Sequence, residues 1–403
     1  MNVFLARQPI FDRHKKLFGY ELLFRSGIGN AFPGIDGDVA TTNLISNLFF
    51  PFEVIQVLGH KKGLINFTEK LILNKAPLFL PKDLFIIEVL EDVSPTEDII
   101  SNLKLFKDRG YRIALDDFVY HENFEPMIGL SHIIKFDLRQ TSIASLYSII
   151  EDLKDRHNIK FLAEKVETYD EYTLAREVGC HYFQGYFFAR PEMISSKGLS
   201  TNQVTKLKLV DELGKSDIDI KKLESYIRND VPLSFKLLKY ANSAYFNRKI
   251  PIDTIKDAVA YIGEQELRNF VNVVVLTDLG TGKPNELIRL SITRAKLCEK
   301  LSRSITSKFT EDELFTLGLF SLMDALMDCR MDDVLDHLSF SDKMRKALLG
   351  EDAEFEKILD IITALEMGDW ESTVFKKMKG SELEQQLPVL YSESINMANA
   401  FYQ

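Results

Sequence analysis

The sequence predicts an α/β barrel of the TIM type, followed by a separate all-helical domain. First, about eight short apolar runs, rich in Ile, Val, Leu, Phe and Tyr, recur through roughly the first 190 residues, as strands buried on both faces do. Second, helical segments separate these runs, and strand–helix alternation predicts a parallel sheet with right-handed crossovers. Third, beyond about residue 200 the apolar residues recur only at the helical spacing i, i+3, i+4 and i+7.

The predicted strands follow one another along the first half of the chain. In order they are VFLARQPIF, FGYELLFR, GLINF, LFIIEVLE, YRIALDDF, SHIIKFD, IKFLAEKVE and HYFQGYFF. Segments between them, such as TEDIISNLKLFKDRG and ETYDEYTLAREVG, end in a glycine that stops a helix. Eight strands in this length fit a small (β/α) barrel, with a doubly wound open sheet as the alternative. No GxGxxG or P-loop follows these runs, so no nucleotide site at a helix N-terminus is predicted.

The second half is predicted to be an all-α bundle. Segments such as LSFKLLKYANSA, EQELRNFVNVVVL and ELIRLSITRAKLCEKLSRSI carry the helical spacing. The stretch EMISSKGLSTNQ, residues 192–203, is rich in Ser, Thr and Gly and is a linker candidate. We therefore predict a barrel domain over residues 1–195 and a helical domain over residues 196–403.

The composition is that of a folded protein and excludes several classes. The chain has 403 residues, of which 45% are hydrophobic and 27% charged. Its net charge of −10 disfavours broad binding to a nucleic-acid backbone. No membrane-spanning run or cleavable signal is found, so we expect a cytoplasmic protein without a membrane partner. Three scattered cysteines exclude a disulfide framework and a zinc ribbon.

Polar side chains occur at the ends of the apolar runs, where a barrel strand opens onto the catalytic face. Burying an unpaired charge at a strand end costs roughly several kcal/mol of folding free energy. Carboxylates gathered there therefore need cations to neutralise them. Carboxylate and amide oxygens favour Mg²⁺, Mn²⁺ or Ca²⁺ over zinc. The residues concerned are Glu21, Asn66, Glu88, Asp116, Asp117, Lys135, Glu164, Glu167 and Gln184.

This pattern favours metal-dependent phosphodiester chemistry. Two ions about 3.5–4 Å apart clamp the attacking and departing oxygens of a phosphodiester displacement. Asp116 and Asp117 suit such a pair if Asp117 lies where the chain turns, because adjacent strand residues face opposite ways. Lys135 would stabilise charge on the phosphate or hold the water; a Schiff-base role is disfavoured because the carboxylates keep it protonated. Any single acid could instead be a helix cap or a surface residue.

The ordered motifs of residues 1–195 resemble the EAL family of cyclic di-GMP phosphodiesterases. Each sequence motif of the family has a counterpart in this chain. The family's motifs are, in order, Q-P-I, E-x-L-x-R, a single asparagine, E-x-T-E, D-D-F-G, K-x-D, A-E-G-V-E and Q-G-Y. In the same order the counterparts are Gln8-Pro9-Ile10, Glu21-Leu22-Leu23-Phe24-Arg25, Asn66, Glu88-Val89-Leu90-Glu91, Asp116-Asp117-Phe118-Val119, Lys135-Phe136-Asp137, Ala163-Glu164-Lys165-Val166-Glu167 and Gln184-Gly185-Tyr186.

The resemblance implies hydrolysis of cyclic di-GMP to pGpG with two Mg²⁺ or Mn²⁺ ions, and it implies a role for each matched residue. One ion would be held by Glu21, Asn66, Glu88 and Asp116. The other would be held by Asp116, Asp117 and Glu164. The implied catalytic residues are Lys135, Glu167 and Asp117. The implied contacts to the dinucleotide are Gln8, Arg25 and Gln184.

The departures from the family pattern lie close to the second ion set. The glycine-rich loop that follows D-D-F is replaced by residues 119–125, and loss of its Gly removes access to positive φ. Lys165 replaces the Gly of A-E-G-V-E and adds a cation. Degenerate members of the family act as ligand sensors or protein-binding platforms, so a non-enzymatic cyclic di-GMP sensor or scaffold is the alternative function. A metal-dependent carbon–carbon lyase has no sequence feature of its own.

The helical half resembles the HDOD domain over residues 199–403. The segments NDVPLS, LLKYANSAYF, IKDAVAYIG and GLFSLMDALMD carry this likeness. His337 is the single histidine of this half, which is too few for the metal ligands of an HD phosphohydrolase. We therefore expect a regulatory domain that binds a signalling protein, and a homodimer formed through the barrel is a further expectation.

Overall fold

The computed structural model describes residues 4–25, 58–59, 61–118, 121–154, 158–190, 227, 231–246, 251–280, 282–338 and 340–401. The predicted linker at 192–203 and the predicted domain boundary after residue 195 lie outside these ranges. The chain divides into two compact units. One contains Met1–Phe188 with Ile361–Pro388, and the other contains Ala189–Asp360 with Val389–Gln403.

The predicted barrel is confirmed, because eight strands close into a ring in chain order, which excludes the open sheet. From β2 onward, neighbouring strands are parallel. The strands are β1 Phe4–Asp12, β2 Leu17–Arg25, β3 Lys62–Phe67, β4 Phe85–Val89, β5 Arg112–Leu115, β6 Ile133–Asp137, β7 Lys160–Glu164 and β8 Tyr182–Gln184.

The first strand departs from the parallel arrangement that the sequence predicts. β1 runs antiparallel to both β2 and β8. Only residues 13–16 separate β1 from β2, whereas a parallel crossover needs about a dozen residues or more. The Asp12 carboxylate stabilises this tight connection by accepting hydrogen bonds from the backbone amides of His14 at 2.8 Å and Lys16 at 2.9 Å.

Helices alternate with the parallel strands, and side-chain caps fix where three of them begin. The hydroxyl of Thr96, Ser142 or Thr168 accepts a hydrogen bond from a backbone amide in the first turn. Glu171 completes a capping box with Thr168. The helices are α1 Glu69–Leu73, α2 Glu97–Asp108, α3 Glu125–Ile128, α4 Ile143–Leu153 and α5 Tyr169–Glu177, with 3₁₀ turns at Ala76–Phe79, Glu122–Phe124 and Tyr186–Ala189.

The barrel interior has an apolar layer beneath a polar one. Side chains that are at most 2% exposed fill the lower layer: Ile10, Leu64, Ile86, Ala114, Ile133 and Leu162. Strand side chains alternate between faces, so the residue two positions further along a parallel strand also points inward. In five of these strands that residue is polar: Asn66, Glu88, Asp116, Lys135 and Glu164. The period-two pattern of the sequence therefore places the polar residues together.

The second predicted region is helical, and no strand occurs among its described residues. Gly263, with φ 81° and ψ 170°, breaks α7 at the boundary between two predicted helices. No helix of the described residues is long and apolar enough to cross a membrane. The helices are α6 Val231–Ala241, α7 Ile255–Leu279, α8 Asn285–Leu301, α9 Glu311–Phe320, α10 Met323–Met327, α11 Met331–Leu335, α12 Asp342–Leu348, α13 Ala353–Met367, α14 Thr373–Met378 and α15 Glu382–Ala400, with a 3₁₀ turn at Ala244–Phe246.

Candidate metal centre

The structure brings nine of the predicted site residues to one end of the barrel. The strands from β3 onward place theirs at or near their carboxyl ends, and β2 contributes Glu21 from its middle. β1 delivers Gln8 beside Glu21, its register partner on β2. The nine residues are Gln8, Glu21, Asn66, Glu88, Asp116, Asp117, Lys135, Glu164 and Gln184.

Lys135 lies at the centre of this group. Its Nζ is 3.3 Å from Glu21 Oε2 and 2.7 Å from Asp116 Oδ1. It also contacts the carboxylates of Glu88 and Glu164. Burial lowers the pKa of Lys135, but the surrounding Asp116, Glu21 and Glu88 outweigh burial and raise that pKa well above its ordinary value. The amine is therefore an ammonium ion, which argues against a Schiff-base role.

One ammonium ion does not neutralise the carboxylates around it. Burial raises the pKa of Glu88 well above its ordinary value, and the neighbouring Glu21 raises it further. Burial and the charge of Asp116 likewise raise the pKa of Asp117. For Asp116 itself, burial raises the pKa but the ammonium of Lys135 outweighs it, so the net shift is downward. The site therefore has an excess of negative charge that further cations would relieve.

Two side-chain amides orient the carboxylate of Glu21. Asn66 Nδ2 donates to Glu21 Oε1 at 3.2 Å. Gln184 Nε2 donates to Glu21 Oε2 at 2.6 Å and to Gln8 Oε1 at 2.7 Å. In each amide the NH₂ group donates its hydrogen bonds within the site, so the amide oxygen remains available as a metal ligand.

The donor set fits hard divalent cations. Among the described residues, five buried oxygens at the site have no hydrogen-bond donor, and one of them, Glu164 Oε1, has the ion pair with Lys135; the other four are Asn66 Oδ1, Glu88 Oε2, Asp117 Oδ1 and Gln184 Oε1. Buried acceptors of this kind are normally satisfied, and a metal ion is one way to satisfy them. Carboxylate oxygens also lie within 4.8 Å of one another in two groups, Glu21–Glu88–Glu164 and Asp116–Asp117–Glu164. Two groups of oxygens that share one carboxylate are suited to a pair of Mg²⁺, Mn²⁺ or Ca²⁺ ions.

These groups resemble the predicted ion sets but differ at one position. The group of Asp116, Asp117 and Glu164 has the membership expected for the second ion. In the other group Glu164, rather than Asp116, accompanies Glu21 and Glu88. Glu164 is therefore the residue common to both groups.

Two predicted site residues are not among the nine that the structure brings together. The carboxylate of Glu167 is 3.4 Å from Arg139 Nη2, and both side chains are nearly half exposed. Arg25 ends β2, but its side chain lies outside the described residues, as do Val119 and Tyr120 of the altered loop. The structure thus places Glu167 at the rim rather than among the buried acids.

Sequence reasoning did not assign a role to several residues at this end of the barrel. Asp137 is 3% exposed and its Oδ2 is 2.6 Å from Lys165 Nζ. Asp137 follows Lys135 by two residues, so the strand period could have placed it at the mouth. Gln8 Nε2 donates to the backbone carbonyl of Met367. No local sequence signal points to that contact.

A cavity of about 340 Å³ opens beside the second carboxylate group. The residues that line it include Glu91, Asp116, Asp117, Phe118 and Phe124. The cavity therefore combines acidic side chains with aromatic surface next to the candidate metal ligands.

Comparisons with known proteins identify both halves of the chain. The family model for the EAL domain matches residues 56–191, and the model for the HDOD domain matches residues 199–356. The chain is 33% identical to cyclic di-GMP phosphodiesterase CdgJ of Vibrio cholerae, over 92% of this chain and 86% of CdgJ. It is 36% identical to the uncharacterized protein YuxH of Bacillus subtilis, over 92% of each chain.

Among solved structures, the Bacillus subtilis YkuI protein, with an EAL domain and in complex with c-di-GMP and calcium, is similar to this chain at 20% identity. That match has a TM-score of 0.38 and covers 64% of this chain and 72% of YkuI. Family membership follows from the domain matches and from the two relatives that align over most of their length. The chain belongs to the family of proteins that join an EAL domain to an HDOD domain.

Proposed function

We propose that the barrel is a metal-dependent phosphodiesterase that hydrolyses cyclic di-GMP to pGpG. The observation that carries the proposal is the buried ring of carboxylate and amide oxygens around Lys135, several of which lack a hydrogen-bond donor. The name of CdgJ, which aligns over 92% of this chain, supports the same substrate and reaction. The helical domain serves as a regulatory or interaction domain.

We assign the two carboxylate groups to two ions, Mg²⁺ or Mn²⁺. Glu21, Asn66 and Glu88 would hold one ion and Asp116 and Asp117 the other, with Glu164 available to either. The bound ions would supply a hydroxide at neutral pH and stabilise the oxygens of the phosphodiester that attack and depart.

The chain's own side chains orient the reactants. Lys135 keeps its positive charge beside Asp116, where it stabilises negative charge developing on the phosphate or holds the attacking water. Gln184 fixes the carboxylate of Glu21 and the amide of Gln8. Part of the dinucleotide occupies the cavity beside Asp116 and Asp117.

A hydrolysis assay tests this proposal directly. Purified protein with Mn²⁺ should convert cyclic di-GMP to pGpG, as followed by chromatography, and Glu21→Ala should abolish the conversion. Glu177→Ala is the matched control, because Glu177 is exposed at the end of α5 and should leave the rate unchanged.

Substrate that stays intact at high enzyme concentration, with either Mg²⁺ or Mn²⁺, would eliminate the enzymatic proposal. Calorimetry with cyclic di-GMP and Ca²⁺ would then separate a protein that binds the dinucleotide from one that does not.

A further inference from the structure

Lys165 has a backbone conformation that residues other than glycine rarely adopt. Its φ is 52°, and it directly follows Glu164, the carboxylate shared by both groups. Asp117, with φ 38°, follows Asp116 in the same way. Such a conformation costs on the order of 1–3 kcal/mol and persists where the surroundings hold it in place. A strained lysine at this position is therefore a feature that needs a chemical explanation.

Contacts from two neighbours fix Lys165 at the mouth. Its Nζ is 2.6 Å from Asp137 Oδ2, and the Asp137 side chain is only 3% exposed. Arg139 Nη2 donates to the backbone carbonyl of Lys165 at 3.2 Å. The lysine is thus held by the end of β6 and the segment after it, between the strands that deliver Asp117 and Glu164.

The ammonium of Lys165 acts on the second carboxylate group. Lys165 directly follows Glu164, and its ion-pair partner Asp137 ends β6, the strand between β5, which precedes Asp117, and β7, which ends at Glu164. A fixed positive charge therefore stands beside the oxygens that would hold the second ion.

The mouth keeps an excess of negative charge even when this lysine is counted. Six carboxylates gather there, and Lys135 and Lys165 supply two positive charges. The carboxylates are Glu21, Glu88, Asp116, Asp117, Asp137 and Glu164.

We propose that Lys165 weakens the Asp116–Asp117–Glu164 ion site by holding a fixed positive charge at its edge. The second site then fills at a higher divalent-ion concentration than the first, and occupancy of the second ion becomes sensitive to the supply of metal. The Lys165 side chain is about half exposed and paired with Asp137, and repulsion between such an ammonium and a divalent ion at the edge of the site can change affinity on the order of tenfold. The inference rests on the metal centre of the proposed function, and it is independent of turnover.

Titration of the full chain with Mn²⁺ in a calorimeter, without substrate, tests this inference. Lys165→Met removes the charge, and Lys165→Gly removes both the charge and the backbone strain, so a folding defect from strain cannot affect the glycine variant. In both variants the weaker binding step should tighten on the order of tenfold, while the tighter step changes less than about twofold. Lys160→Met is the control, because Lys160 is exposed at the opposite end of β7, and it should match the unmodified protein.

A weaker step that is unchanged, or that weakens further, in both Lys165 variants would overturn the inference. Further weakening would show that Lys165 supports the site by holding Asp137. Absence of Mn²⁺ binding in every variant would also overturn it. Hydrolysis assays on the same samples separate the two proposals. If the weaker Mn²⁺-binding step tightens in the Lys165 variants but cyclic di-GMP stays intact, the inference about Lys165 holds and the proposed function is wrong.

Discussion

Replacing Lys135 with methionine should destabilise the metal-free protein strongly. The side chain is 1% exposed, and its ammonium contacts four carboxylates, two of them at 3.3 and 2.7 Å. Methionine keeps an unbranched apolar stem but leaves those carboxylates without their positive partner. Removing one partner of a buried ion pair costs about 3–5 kcal/mol. That is a large part of a typical stability of about 5–15 kcal/mol.

The size of this loss should depend on metal. If divalent ions bind the same carboxylates, saturating Mn²⁺ compensates much of the missing charge, and the loss should fall below about 2 kcal/mol. Urea denaturation followed by circular dichroism, in EDTA and in Mn²⁺, measures both free energies of unfolding. Lys160→Met serves as the control because Lys160 is exposed at the start of β7.

Two results would refute this reasoning. A loss below about 1 kcal/mol in EDTA would mean that the carboxylates do not need the ammonium. An equal loss with and without Mn²⁺ would mean that metal does not bind where Lys135 neutralises charge.

Three further predictions concern the metal site, a close contact and a histidine. Asp116→Asn should weaken Mn²⁺ binding in calorimetry, because it removes a ligand charge; unchanged affinity would reject the two-ion assignment. Gly368→Ala should lower the melting temperature more than Gly380→Ala, by the equivalent of about 1–3 kcal/mol. Both glycines have positive φ, but a Cβ at 368 would lie 2.2 Å from Leu23 Cδ1 whereas the space at 380 is open, so equal losses would contradict the contact. Burial lowers the pKa of His181 to about 4, and its Nδ1 accepts a hydrogen bond from a backbone amide. The unfolded chain binds the proton more readily, so stability should fall by about 1–2 kcal/mol from pH 6.5 to pH 4, allowing for the partly exposed ring, and His181→Gln should flatten that fall in denaturation curves.

Much of the barrel could be predicted from the sequence, because each strand is a short local apolar run and successive side chains along a strand point to opposite faces. That alternation also explains why Asn66, Glu88 and Lys135 reach the same mouth: each lies two residues beyond an inward apolar side chain.

Other features depend on three-dimensional geometry that a local sequence pattern does not predict. The antiparallel direction of β1 follows from a connection too short for a crossover, and the predicted alternation of strands and helices did not distinguish this. Glu167 is predicted to be a catalytic residue; the chain turns at Lys165, beyond which the strand period no longer applies, and the Glu167 carboxylate lies at the rim beside Arg139. The contact of Gln8 with Met367 joins residues 359 apart in the sequence.

The reversed first strand also determines where the chain enters the barrel. Phe4 pairs with Arg25, the last residue of β2, so the polypeptide begins β1 at the rim that holds the acids. The start of β1 therefore lies toward the entrance to the centre rather than beneath its floor. A label attached to the first residues of β1 is suited to report arrival of a ligand.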